Sequence, residues 1–70
     1  MSDLDQRLLA AHAADDRLAL VTLYAQAAEE ASDDDARGFY LTHAYIFALE
    51  TNHPKTPALY RELKAMGREN

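Results

Sequence analysis

FYLTHAYIFALETNHP, residues 39–54, is the stretch whose reading decides the fold. At 100° per residue, Phe47, Tyr40, Ala44, Ala48, Leu41, Tyr45 and Leu49 form an apolar arc of roughly 200°, too wide for a helix touching one neighbour. The spacing therefore predicts a central helix. Proline disfavours helical geometry at the residue before it, so Pro54 ends this helix near Asn52. One line remains outside the arc. His43 and Glu50 lie along it, flanked by Phe39 and Ile46, and it is the side expected nearest to solvent.

Outward from this helix, the flanks carry start and stop signals. Ser32-Asp33-Asp34-Asp35 supplies side-chain oxygens for the free N–H groups of a helix start. A calcium loop needs alternating ligands, a glycine and a distal glutamate, and this run has only adjacent acids, so it reads as a capped turn. The preceding helix, about 16–31, places Leu18, Leu20, Val21, Leu23, Tyr24, Ala25, Ala27, Ala28 and Ala31 on a broad arc. Thr22, Gln26, Glu29 and Glu30 lie opposite. Asp15 or Asp16 caps it, and both suit the positive end of its dipole. Before them, a helix at about 3–14 carries the narrow stripe Leu4, Leu8 and Ala11, with Leu9 on the flank and Ser2 as cap. After Pro54, Thr56-Pro57 reads as N-cap and first helical residue. A helix at 57–67 follows, with Leu59, Leu63 and Met66 on one stripe, Tyr60 beside it and Gly67 as terminator.

Two wide helices between two narrow ones predict an all-α fold. The expected architecture is a single domain, residues 1–70, in which about four short helices form a compact bundle. Helices two (16–31) and three (35–52) make an antiparallel hairpin that the outer two cover. Alanines 25, 28, 44 and 48 would let the hairpin axes approach closely. A chain of 70 residues buries only about 60% of its unfolded surface, so it needs a staple, very good packing or a partner. There is no cysteine, hence neither a disulfide nor a thiolate metal site.

Twelve acids against seven bases give a net charge of −5. Nucleic acid and anionic membranes both call for a basic footprint, so neither is an expected partner. No stretch approaches the apolar length of a membrane span, and the N-terminus has acids where a secretory signal has bases. The expected setting is the cytoplasm.

The pair LALVTLYAQAAEEA and ARGFYLTHAYIFALETNHP resembles a tetratricopeptide or Sel1-like helical-repeat hairpin. Leu20, Val21 and Tyr24 match the spacing of the first repeat helix, with valine at a usually small position. Leu41, Tyr45, Ala48 and Pro54 follow the second. The chain as a whole resembles short bacterial proteins with an HA-D-ALV-LY-AA…FYLTHAY-FALE layout. The repeat resemblance implies a helical hairpin and a tendency to bind protein. No second hairpin follows, so a long solenoid is not expected from these residues.

The chemistry-bearing motifs are few. No glycine-rich phosphate loop, GxSxG or cysteine nucleophile is present. His12 and Asp16 stand four apart, but a helix break between them and a count of two ligands argue against zinc. His53 is a turn residue. No cofactor, metal site or catalytic residue is therefore expected. Phe39 and Ile46 beside the His43–Glu50 line point elsewhere, because interfaces favour aromatics with a polar rim. Phe39, His43, Ile46 and Glu50 are the candidate interface, to a second copy in a homodimer or to another protein. An alternative is a small-molecule pocket formed by Tyr24, Tyr40, Tyr45 and Tyr60, residues that at helical spacing otherwise sit in a core with the hydroxyl at its edge.

Overall fold

The computed structural model describes residues 3–67, which form four α-helices: α1 (Asp3–Ala13), α2 (Arg17–Glu30), α3 (Asp34–Thr51) and α4 (Thr56–Ala65). These are the four expected elements in the expected order, each ending one or two residues early. Ser2 lies outside the described residues.

Local chemistry accounts for nearly every boundary. Asp15 takes the left-handed conformation (φ +53°) just past α1, where its N–H donates to His12 O (3.1 Å) and that of Asp16 donates to Ala11 O (2.9 Å). This paired closure satisfies two end carbonyls, and a short Asx side chain tolerates the left-handed well. Asp16 then caps α2, its carboxylate accepting from Ala19 N–H at 3.2 Å. The adjacent acids thus do two jobs, one closing a helix and one opening the next. Asp33 opens α3 in the same way, accepting from Ala36 N–H at 2.8 Å. Asn52 repeats the left-handed exit (φ +53°), with His53 N–H reaching back to Ala48 O at 2.9 Å. Gly67 (φ +76°) closes α4 as expected.

One cap differs. Thr56 is the first helical residue of α4 rather than its N-cap, and its hydroxyl donates to His53 O (2.7 Å). The turn before α4 gives the hydroxyl a nearer acceptor than the helix gives it donors. His53 Nδ1 accepts from Lys55 N–H (3.0 Å), so this turn is tied through His53 at both its carbonyl and its ring.

The helices pack as neighbours in a row: α1 on α2, α2 on α3, α3 on α4. The result is a slab of 31 × 28 × 13 Å. Two apolar clusters lie on the two sides of the α2–α3 hairpin. On the α4 side Val21, Ala28, Leu41, Ala44, Ala48, Leu59 and Leu63 are buried together. On the α1 side Leu4, Ala11, Leu20, Leu23 and Ala27 are buried, with Leu8, Tyr24, Tyr40 and Phe47 half-buried against them. Ala28, Ala44 and Ala48 lie fully inside, and small side chains there set the hairpin's close approach.

Two core expectations fail. Leu18 and Leu49 were placed on apolar arcs but are 59% and 54% exposed. Leu18 shares a helical line with Ala25 and Glu29, and Leu49 shares one with Thr42 and Ile46. Leu49's line lies beyond α4, which meets α3 along Tyr45, and Leu18 stands in the first turn of α2. Among the described residues no helix is long and apolar enough to cross a membrane.

Candidate functional site

Three helices bring six rings together on one side of the slab. Tyr24 of α2 is the hub. It stacks on Phe47 (centroids 6.0 Å, planes 11° apart) and lies 5.1 Å from His43 and 6.2 Å from Tyr40. His12 of α1 meets Tyr24 and Phe47 edge-on at 5.7 and 6.0 Å. Phe39 closes the group against His43 at 4.3 Å and Tyr40 at 5.5 Å. Offset and edge contacts at such separations are those in which ring quadrupoles attract.

Two polar ties run through this cluster. His12 Nε2 and Tyr24 Oη lie 2.8 Å apart, a hydrogen bond joining α1 to α2. His43 Nδ1 lies 2.9 Å from Phe39 O. A carbonyl only accepts, so Nδ1 donates and carries the ring proton. Burial pushes the Tyr24 phenol above its ordinary value of about 10, and the neighbouring Tyr40 adds to the rise. At neutral pH Tyr24 is therefore an uncharged hydrogen-bonding group.

Each predicted site residue can be placed against this geometry. Of the interface candidates, Phe39 and Ile46 are 56% and 46% exposed on the outer face of α3. His43 is half-buried between Tyr24 and Phe39. Glu50 is exposed and ion-paired with Arg17 at 3.2 Å, which ties the start of α2 to the end of α3. The four tyrosines do not meet at one place. Tyr24 pairs with Tyr40 on the α1 side, and Tyr45 pairs with Tyr60 of α4 (5.9 Å). His12 and Asp16 part company as the break between their helices requires, Asp16 serving as a cap. Among the described residues no group of three or more His, Asp or Glu side chains is arranged to hold a metal.

Several surface depressions lie around the helices. One of about 240 Å³ between α2, α3 and α4 has Ala25, Ala28, Leu41 and Leu59 beneath a rim of Glu29, Arg37, Lys55 and Glu62. A more open one of about 460 Å³ between α1 and α2 is lined half by alanines, with Arg7, Asp16, Thr22 and Leu23. Tyr40 borders a further depression, beside Leu4 and Leu8. The rings mostly fill space against each other, with Tyr40 alone of the six at the edge of one of these depressions.

The sequence reading missed two features. Leu49 joins Phe39 and Ile46 on the outer face of α3, and the spacing 39, 42, 46, 49 was the available signal. His12 enters the ring cluster from another helix, twelve residues from Tyr24, and periodicity within one helix carries no such signal. No protein-family model matches the chain, and no curated protein or solved structure matches it either.

Proposed function

We propose that this chain is a non-catalytic helical protein-interaction module acting in the cytoplasm, and that it engages protein through the outer face of α3. The observation that carries the reading is the alignment of Phe39, Ile46 and Leu49, all about half exposed, on one face of the longest helix. Scattered exposed leucines are ordinary, whereas three large apolar residues in line on one helix face, with a polar rim, mark a contact surface. Thr42, His43 and Glu50 supply that rim. The helical-repeat likeness of the α2–α3 hairpin supports the same reading, because α1 and α4 lie against its two sides as successive helices do in stacked repeats. The small-molecule alternative has less support, since the Tyr/His rings pack on one another.

A photo-reactive amino acid placed at Thr42 in cells tests the proposal, with Thr22 on the polar face of α2 as control. A protein adduct at 42 and none at 22 is the expected result. Adduct at neither position overturns the reading.

A further inference from the structure

Away from the outer face of α3, the depression where α2, α3 and α4 meet has a volume of about 240 Å³. Alanines make the room for it. Ala25 and Ala28 of α2 and Ala58 of α4 carry short side chains beside Leu41 and Leu59, so the base is apolar, while Glu29, Arg37, Lys55 and Glu62 form the rim. Two adjoining depressions show how those charges are spread. One, reaching to Thr22, shares Glu29 and Lys55 with it, and the other, reaching to Met66, shares Arg37 and Glu62. The charges therefore fall into two pairs at opposite ends of an apolar trough.

Their bonding sets them apart further. Arg37 is already engaged, its guanidinium 2.9 Å from Asp34. Glu29, Lys55 and Glu62 make no side-chain hydrogen bond or ion pair among the described residues. Lys55 gives only its backbone N–H, to the His53 ring. Glu29 and Lys55 thus share one end without neutralising each other. The trough as a whole offers two unpaired carboxylates and one unpaired ammonium.

A ligand that complements this set carries two ammonium groups and one carboxylate on an apolar stem. One ammonium and the carboxylate must lie close together, for Glu29 and Lys55, and the second ammonium must lie at the far end, for Glu62. A free basic α-amino acid has that arrangement. The volume, below the roughly 300–1,000 Å³ of drug-sized sites, suits a molecule so small. We infer that the trough binds a free basic α-amino acid of the lysine type. Its α-ammonium pairs with Glu29, its α-carboxylate with Lys55 and its terminal ammonium with Glu62, while the stem lies along the alanines. The site is separate from the α3 face and does not depend on the proposed protein contact. Each ion pair is open to solvent and weak alone, which gives a dissociation constant on the order of 1 mM.

Nuclear magnetic resonance of the isotope-labelled chain tests this with three probes. Lysine carries all three charges, norleucine lacks the terminal amine, and 1,5-diaminopentane lacks the carboxylate. The expected result is saturable shifts of the Ala25, Ala28 and Ala58 signals with lysine, and binding at least about threefold weaker with each of the other two. Glu62→Gln should reduce lysine to the affinity of norleucine and leave norleucine unchanged. Glu50→Gln removes a carboxylate outside the trough and should leave lysine binding intact. Absence of saturable shifts with lysine overturns the inference. So does equal binding of lysine and either analogue, or a loss from Glu50→Gln as large as that from Glu62→Gln, since general attraction to an acidic chain then accounts for the binding. Neither result touches the crosslinking at Thr42 that tests the proposed function.

Discussion

The two sides of the α2–α3 hairpin are built differently. On the α4 side the buried residues are aliphatic or alanine and nearly solvent-free, with Val21, Leu59 and Leu63 at 2% exposure or less. On the α1 side Leu20 is as dry at 1%, but Leu4 and Leu23 keep 9%, half-buried rings pack there as they do on the α4 side, and the His12–Tyr24 hydrogen bond adds a polar tie. Dry aliphatic packing stabilises in proportion to apolar area removed from water. A hydrogen bond between helices adds less burial but fixes orientation. The difference teaches that α4 is seated mainly by area and α1 mainly by geometry.

The largest expected effect follows on the α4 side. Leu63→Ala removes a fully buried side chain and leaves a cavity, costing about 3 kcal/mol, enough to unfold much of a chain this small. Urea titration followed by circular dichroism reads it. Leu4→Ala, in the first turn of α1 and partly wetted, should cost about half as much; equal losses would erase the contrast between the sides.

Next come the caps, which test whether local chemistry sets the helix ends on both sides alike. Asp33→Ala removes the acceptor of Ala36 N–H and should cost about 1 kcal/mol in the same titration. Thr56→Val should cost less, because its hydroxyl bonds a turn carbonyl and leaves the helix start uncapped already.

Tyr24→Phe isolates the polar tie on the α1 side. It keeps the ring contacts and removes the hydroxyl, for a loss of about 1 kcal/mol near neutral pH. Its pH signature is more specific. Tyr24 is harder to ionise folded than unfolded, so both states hold the proton below pH 10 and no difference arises there. Above about pH 10 the unfolded chain releases its proton first, and stability falls as pH rises. Thermal melts at pH 8 and above 10 should show a smaller alkaline loss for Tyr24→Phe than for wild type. The smallest effect is Arg17→Met, which breaks the exposed pair with Glu50 and should shift stability by under about 1 kcal/mol.

How much of this was legible in the sequence depended on how local the cause is. Asp16, Asp33, Pro54 and Gly67 act within four residues of themselves, and the helix ends followed from them. Thr56 was misplaced because its hydroxyl chose an acceptor in the preceding turn. A helical wheel gives a residue's direction about its own axis and not where the next axis lies. Leu18 and Leu49 were therefore assigned to a core that stops one step short of them. For the candidate site, Phe39 and Ile46 were readable as apolar residues on a polar line. The cluster around Tyr24 was not, because His12, Tyr24 and Phe47 meet only once three helices have been set side by side.

The row-wise packing of the helices also governs how the chain finds its shape. Each helix lays its backbone against the one before it, across turns of only a few residues, with no long connection to close. Structures dominated by such near-in-sequence contacts fold in microseconds to milliseconds, since little loop entropy is lost before the contacts form. On the ribosome, α2 can pair with α3 as soon as α3 emerges, and α4 then seals the side that depends most on burial.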